Sequence, residues 1–151
     1  AGRLHRYDPG TNTWTALRSA PAMHFQPVVT VSGGKLYVVG GNDGGGSVTG
    51  RVDMYDPGTN TWTSRASMPT PRVGAAGVAI GGKIYVMGGR SGTMYFSTVQ
   101  VYDPVANYWN SRAPMPTARA AFGVAGISGF LYAVGGRNAS GVLGTNERFT
   151  P

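Results

Sequence analysis

Arginines are the residues of this chain with the greatest capacity for chemistry. The 151 residues include eleven Arg and two Lys against six Asp or Glu, so the formal net charge is +7. A guanidinium is planar and forms two parallel hydrogen bonds to a carboxylate, so this choice of cation favours recognition of acidic groups. Arg90 and Arg137 each directly follow a Gly-Gly pair that ends an apolar run, and Asn42 follows a third such pair. The spacing therefore predicts a loop face that binds anions.

The other reactive side chains do not form a catalytic or metal-binding pattern. Two His, no Cys and six scattered acids fit neither a zinc site nor a Ser-His-Asp triad. Three of the acids share one recurring turn position and are interpreted as turn caps: Asp8, Asp56 and Asp103. His24 stands where later copies have Arg72 and Arg119, so we interpret it as a structural residue rather than a base. The glycine-rich segment 40–46 has no following Gly-Lys-Ser/Thr, which predicts a flexible loop instead of a phosphate site.

Three copies of one sequence pattern determine the predicted fold. The octapeptide Tyr-Asp-Pro-Gly-Thr-Asn-Thr-Trp at 7–14 returns at 55–62 and, more loosely, at 102–109, so the Trp residues are 48 and 47 residues apart. Apolar runs with a central Tyr end in Gly-Gly at 36–41, 84–89 and 131–136. This period and these anchors resemble the kelch repeat of β-propellers. The anchors are Trp14, Trp62, Trp109, Tyr37, Tyr85, Tyr132, Gly40, Gly41, Gly88, Gly89, Gly135 and Gly136.

The resemblance implies an all-β chain of four-stranded blades in one domain. Its parts are a partial repeat at 1–23, repeats at 24–71 and 72–118, and a partial repeat at 119–151. In the third part we expect strands at 72–80, 83–87 and 98–102, a polar loop at 90–97, and a Trp-bearing strand that ends before Met115. In the turn after Tyr-Asp-Pro, Pro is expected at the first corner and Gly, with positive φ, at the second.

The anchors have expected packing roles. The Trp rings should fill the wide outer gap between neighbouring blades, and the Gly-Gly pairs should let another backbone approach closely. Arg72 and Arg119 are expected to bond loop carbonyls. Polar residues two places before the third-strand aromatic are predicted to lie on a solvated face: His5, Asp53, Gln100 and Glu147. On that basis Asp53→Ala should change stability by no more than about 0.5 kcal/mol.

The predicted strands number two, four, four and three along the chain, which is half of a six-bladed ring with one strand over. The sequence leaves open whether this is a natural three-repeat protein or a piece of a longer propeller. An unpaired half-ring would expose blade faces and strand edges. We therefore expect two copies to close one ring around a two-fold axis, with the last blade of each completed by the first strands of the other.

The function implied by the resemblance is a non-catalytic scaffold that binds a protein or acidic peptide at its loop face. In kelch adaptors that capture acidic peptides, an Arg-Asn pair directly after Gly-Gly resembles Arg137-Asn138. Those adaptors also carry arginines two places before the first-strand glycine, where this chain has Gly74 and Ala121. The predicted ligand-binding residues are Arg90, Arg137, Asn138, Asn42 and Asp43.

Other functions remain as alternatives or are not expected. A carbohydrate or small polar ligand at the loop face, or the non-catalytic part of a larger kelch enzyme, stays open. The copper-radical oxidases built on kelch propellers need a cysteine, which this chain lacks. Nucleic acid is not expected because the arginines are dispersed and no lysine-rich run exists. No cofactor, membrane span or signal peptide is expected, and the compartment is left open.

Overall fold

The computed structural model describes residues 2–151, and that range contains β-strands joined by turns and no helix. Accordingly, the described residues include no helix capable of crossing a membrane. The all-β class predicted from the repeats is confirmed. The strands are β1 (Leu4–Asp8), β2 (Thr13–Leu17), β3 (Val28–Ser32), β4 (Lys35–Val39), β5 (Val52–Asp56), β6 (Thr61–Arg65), β7 (Ala76–Ile80), β8 (Lys83–Met87), β9 (Arg90–Ser91), β10 (Met94–Tyr95), β11 (Val99–Asp103), β12 (Tyr108–Arg112), β13 (Gly123–Ile127), β14 (Phe130–Val134), β15 (Arg137–Asn138), β16 (Gly141–Val142) and β17 (Asn146–Phe149).

Antiparallel pairing arranges the longer strands in four successive sheets. Their orders are β1-β2, β3-β4-β5-β6, β7-β8-β11-β12 and β13-β14-β17. In the third sheet, 83–87 is a strand as predicted, whereas the first strand begins at Ala76 rather than at Arg72. The loop 90–97 is not irregular throughout, because β9 and β10 form a small hairpin within it. The hairpin β15-β16 repeats that feature in the last sheet.

In the turn after Tyr-Asp-Pro, the sequence prediction placed the positive φ angle at the wrong residue. As predicted, each Asp caps the turn, for example through the 2.9 Å bond from the Gly58 N–H to Asp56 Oδ1. Positive φ, however, is adopted by asparagine, with values of 54°, 53° and 52° at Asn12, Asn60 and Asn107. Asparagine tolerates this region because its short polar side chain bonds locally. The Asn60 Oδ1 accepts a hydrogen bond from the Tyr55 hydroxyl at 2.9 Å.

The core lies between the sheets, where the first strands of neighbouring sheets pack face to face. Val28 of β3 is buried and lies against Gly77 of β7, where any added Cβ would collide with the valine. On its other face, β7 places Val78 and Ile80 beside Gly126 of β13. Large side chains on one strand thus oppose small ones on the next. This alternation keeps the interior closely packed.

The Gly-Gly pairs do permit the close backbone approach predicted for them. At Gly41, where φ is 91°, an added Cβ would lie 2.7 Å from the Phe25 carbonyl oxygen. At Gly136, where φ is 95°, it would lie 2.8 Å from the Ala120 carbonyl oxygen. Both the backbone angle and the space therefore require glycine.

The three Trp anchors differ in burial. Trp109 is 6% exposed, and its indole N–H donates to the Ala66 carbonyl of the preceding sheet at 2.8 Å. Trp62 is half-buried and donates in the same way to the Arg18 carbonyl. Trp14 is 68% exposed and packs against Tyr7 of its own hairpin, so its role as an inter-blade anchor stays a prediction. Among residues 2–151, no sheet precedes β1-β2 to cover that ring.

The predicted solvated face of the third strands is also wrong for three of its four members. Asp53 is 0% exposed, Gln100 6%, and the Glu147 side chain 13%, whereas His5 is exposed. Each buried member faces a basic side chain from the segment before the first strand of its own sheet. In the third sheet this is Arg72, which bonds Gln100 Oε1 at 3.1 Å. In a propeller sheet both faces meet a neighbour, so alternation in sequence does not imply contact with water.

Arg72 and Arg119 form the hydrogen bonds to loop carbonyls that the sequence predicted. Arg72 donates to the Gly88 carbonyl at 2.8 Å, and Arg119 to the Gly135 and Thr145 carbonyls at 2.8 and 2.9 Å. Burial lowers the pKa of Arg72 to about 10, which leaves it charged at neutral pH. These bonds join the end of each second strand to the segment before the first. They satisfy carbonyls that no strand ladder reaches.

His24 takes the corresponding place in the second sheet. Its Nδ1 lies 2.8 Å from the Gly40 carbonyl oxygen and its Nε2 3.0 Å from Asp53 Oδ2. Asp53 also accepts hydrogen bonds from Arg51 Nε at 2.6 Å and from Ser64 Oγ at 2.9 Å. The histidine and the acid are therefore parts of a buried structural cluster. This geometry agrees with the interpretation of His24 as structural.

Candidate functional site

Three loops that follow the Gly-Gly pairs are anchored in the same way. In each, the first loop residue forms an antiparallel bridge with a residue ahead of the first strand: Phe25 with Asn42, Val73 with Arg90, and Ala120 with Arg137. The second and third loops then fold as the hairpins β9-β10 and β15-β16. The repeat thus places the two arginines at equivalent points of equivalent hairpins. Loops held on a rigid scaffold in this manner are common sites of recognition.

Arg90 and Arg137 line one open cleft of about 420 Å³ between the two hairpins. Its other lining residues are Gly92, Thr93, Tyr95, Asn138 and Ala139. Arg90 is half-buried and donates from Nη1 to the Gly92 carbonyl at 2.9 Å, which orients its guanidinium. Arg137 is exposed, and no described residue accepts a hydrogen bond from its guanidinium within residues 2–151. The lining as described carries two cations and no acid.

Asn138 contributes an amide to the same cleft. Its Oδ1 accepts a hydrogen bond from the Ser140 N–H at 2.9 Å. That bond fixes the side chain and leaves its NH2 group as a donor. Tyr95 and Thr93 were not singled out by sequence reasoning, because no repeated position marks them. They add an aromatic ring and a hydroxyl to the cleft.

Asn42 and Asp43, in contrast, do not line this cleft. Asn42 Oδ1 accepts hydrogen bonds from the Gly44 and Gly46 N–H groups at 2.9 and 3.2 Å. Asp43 Oδ1 accepts from the Gly45 and Ser47 N–H groups at 2.9 and 3.1 Å. Both side chains therefore organise the backbone of their own glycine-rich loop. The cleft combines Arg90, Arg137 and Asn138 of the five predicted binding residues.

Metal-binding geometry is not found among residues 2–151, where no three His, Cys, Asp or Glu side chains lie together as a possible ligand set. The buried pair of His24 and Asp53 lies inside the second sheet, and Arg51 neutralises its carboxylate. The acids at the far turns, Asp56 and Asp103, form ion pairs with Lys35 and Lys83. The Lys35 hydrogen bond lowers the pKa of Asp56, whereas backbone hydrogen bonding, first from Ala106, lowers that of Asp103.

Comparison with known protein families gives a match along nearly the whole chain. The family model described as the KLHDC2/KLHL20/DRC7 Kelch-repeats domain matches residues 1–147. The chain belongs to the kelch-repeat family. The resemblance drawn from the Trp, Tyr and Gly-Gly spacing is thereby confirmed. No curated protein matches this kelch chain in sequence.

A solved structure of YjhT has the same fold. It aligns with 99% of this kelch chain at a TM-score of 0.85 and 19% sequence identity. At that identity the likeness concerns the fold alone. The kelch chain spans about half of that structure, covering 49% of its length.

Membership in the family indicates a general role. Kelch-repeat domains generally mediate protein–protein interactions, so this domain has the character of a protein-binding scaffold. Neither the family nor the fold names a ligand, because one fold serves many functions. The ligand has to be argued from the cleft itself.

Proposed function

We propose that this kelch domain is a non-catalytic scaffold whose cleft between β9-β10 and β15-β16 binds a carboxylate-bearing segment of a partner protein. The observation that carries the proposal is the pairing of Arg90 and Arg137 across a cleft without an acidic lining residue. Arg137 has a free guanidinium for a bidentate bond to a carboxylate, and the Asn138 amide can donate beside it. No lining residue offers a paired acid and base for general acid–base catalysis.

The first test removes both cleft cations. The double variant Arg90→Ala and Arg137→Ala should weaken binding of a fluorescent Glu-rich peptide by about tenfold or more, since two charge-assisted hydrogen-bonding groups are lost. Fluorescence anisotropy at several salt concentrations measures this, and affinity of the parent should fall as salt rises. A Gln-rich peptide of the same length should bind weakly to both proteins.

The matched control is Arg6→Ala with Arg112→Ala, which removes the same charge from exposed positions outside the cleft. The control should retain most of the parent's affinity. Equal losses in the two double variants would mean that net charge, and not the cleft, binds the peptide. Selective binding of an acidic oligosaccharide with no peptide binding would instead favour a glycan stacked on Tyr95.

We further propose that two copies of this chain close a six-bladed ring. The support is complementarity between an exposed face of β3 and an exposed face of β13. On β3, Val29 and Val31 are 55% and 60% exposed, on the side opposite Val28. On β13, Gly123, Ala125 and Ile127 are exposed on the side away from β7. Large residues would again oppose small ones, as they do between β3 and β7.

Ring closure by two copies predicts the mass of the protein in solution. Sedimentation velocity and light scattering at micromolar concentration should show a dimer. Its interface is expected to bury well over about 1,000 Å². Val31→Lys should dissociate it, because the ammonium would be buried against an apolar face. Thr11→Lys, on an exposed turn of β1-β2, is the charge-matched control. A monodisperse 15.7 kDa species in the parent would exclude the ring.

A further inference from the structure

We propose that a cleft between the second and third sheets binds a small organic molecule that carries one carboxylate on an apolar body. The cleft has a volume of about 400 Å³, within the range of small-molecule sites. Gly33, from the turn between β3 and β4, and Gly82, from the turn between β7 and β8, both line it, and we call it the turn cleft. The loops that follow the Gly-Gly pairs lie at the other end of these strands. The turn cleft shares no lining residue with the proposed peptide cleft or with the faces proposed for ring closure.

Arg65 is fixed in the turn cleft by hydrogen bonds from its guanidinium to the third sheet. Its Nε donates to the Tyr102 hydroxyl at 3.1 Å, and its Nη2 donates to the Pro104 carbonyl at 2.8 Å. Among residues 2–151, no acceptor bonds its Nη1, so one nitrogen of an oriented guanidinium remains available to a ligand. A donor that is already oriented loses little entropy when it binds.

The fold does not require a cation at this position. One repeat earlier, Leu17 of β2 is the residue equivalent to Arg65. In that repeat Tyr55, the equivalent of Tyr102, still bonds the turn asparagine, with its hydroxyl 2.9 Å from Asn60 Oδ1. The turn therefore forms with leucine at the equivalent place. Arg65 is free to serve a ligand.

Tyr37 supplies a hydroxyl group that has no protein partner. The residue is 3% exposed and lines the turn cleft. Within residues 2–151 its hydroxyl forms no hydrogen bond, yet the oxygen is still open to solvent, and the opening is the cleft. Polar groups on buried residues normally have partners. Burial, together with the nearby Tyr102, raises the pKa of Tyr37, so the hydroxyl stays protonated and can donate at neutral pH.

The charge of the turn cleft suits one carboxylate. Of the residues within 2–151 that line it, two are cations, Lys35 and Arg65, and none is an acid. Asp56, outside the lining, takes one of the three donors of Lys35 in an ion pair. Together these three groups carry one positive charge, which a single carboxylate neutralises. A phosphate monoester, with close to two negative charges, would leave an excess negative charge near Asp56.

Apolar groups complete the turn cleft. Met54 and Pro104 line it, and so does Val105, which is exposed although it is a large apolar residue. A hydrocarbon body placed against these side chains would remove apolar surface from water. The combination of a few oriented donors with apolar walls is typical of sites for small organic ligands. It favours an organic carboxylate over an inorganic anion.

The test titrates the full chain with sodium 3-phenylpropionate and follows ¹H–¹⁵N NMR spectra. In the parent, the Gly33 and Gly82 amides and the Arg65 Nε–H should shift with one common dissociation constant. Arg65→Leu, which copies the residue that β2 has at this position, should weaken binding about tenfold, since a charge-assisted hydrogen bond is lost. Tyr37→Phe keeps the ring and should weaken binding about threefold. Arg112→Leu removes the same charge from the equivalent, exposed position of β12 and should match the parent.

Matched ligands test the chemistry of the turn cleft. The neutral 3-phenylpropionamide should bind about tenfold more weakly than the carboxylate, and 2-phenylethyl phosphate should bind no more tightly than it. Tighter binding of the phosphate would overturn the assignment to a carboxylate. Equal affinity in the parent, Arg65→Leu and Tyr37→Phe would overturn the site, as would the absence of any shift at these residues at millimolar ligand.

Urea midpoints show which variants are folded under the titration conditions. If Arg65→Leu does not fold, Tyr37→Phe and the two matched ligands still decide the proposal. None of these results bears on the peptide cleft, because Arg90 and Arg137 are unaltered in every variant.

Discussion

Asp53→Ala is expected to lower the free energy of unfolding by about 3 kcal/mol, because it leaves the hydrogen-bond donors of His24, Arg51 and Ser64 without their shared buried acceptor. Asp53 is 0% exposed and accepts hydrogen bonds from Arg51, His24 and Ser64. The sequence alone suggested a change of no more than about 0.5 kcal/mol, since it placed this residue on a solvated face. Urea titration at neutral pH measures the difference.

The control for this variant is His5→Ala, which alters the equivalent but exposed position of β1 and should change stability by about 0.5 kcal/mol or less. Acid adds a second measurement. Burial raises the pKa of Asp53, but the hydrogen bonds from Arg51, His24 and Ser64 outweigh it and hold the pKa below its ordinary value. Its contribution to stability is thus complete above about pH 4 and is lost as pH falls through the lower folded-state pKa. Equal urea midpoints for parent and Asp53→Ala at neutral pH would contradict the buried cluster.

Trp109→Ala should cost about 3–5 kcal/mol by leaving a large void between two sheets. The ring is 6% exposed, and its indole N–H bonds the Ala66 carbonyl of the neighbouring sheet. Trp62→Ala should cost less, because Trp62 is only half-buried. Trp14→Ala should cost about 0.5 kcal/mol or less in the monomer.

The order Trp109, Trp62, Trp14 is the decisive feature of this series. Denaturation should be measured at concentrations that keep every variant monomeric, because ring closure would protect Trp14. Similar losses for all three variants would show that the rings pack alike and that the exposure of Trp14 is not a property of the monomer.

The fold was predictable from the sequence because the same pattern of strand and turn residues recurs several times along the chain. One Gly-Gly pair or one Trp carries little information, but three in register fix the strands that lie between them. The polar residues of the third strands were misplaced because a variety of polar residues at one repeat position was interpreted as a sign of solvent exposure. The signal that could have corrected this lies in the sequence. Each repeat couples a basic residue before the first strand with an acceptor on the third, as in Arg119 and Glu147.

The cleft was partly predictable for the same reason. Repetition places Arg90 and Arg137 at equivalent points of neighbouring hairpins, and the structure brings them to one cleft. Asn42 and Asp43 could not be separated from them by position alone. Their short side chains bond the N–H groups of a glycine-rich segment, and the balance between such local bonds and an open site depends on loop conformation.

The turn asparagines couple neighbouring blades through hydrogen bonds. Asn107 Oδ1 accepts hydrogen bonds both from Tyr102 of its own blade and from the Ala66 N–H of the blade before it. In a linear array of repeats, stability is the sum of each unit's intrinsic term and its coupling to the nearest neighbour. Here one oxygen atom serves both terms, because the asparagine that completes the turn of one blade also bonds the blade before it. Unfolding should consequently spread from blade to blade as a single transition.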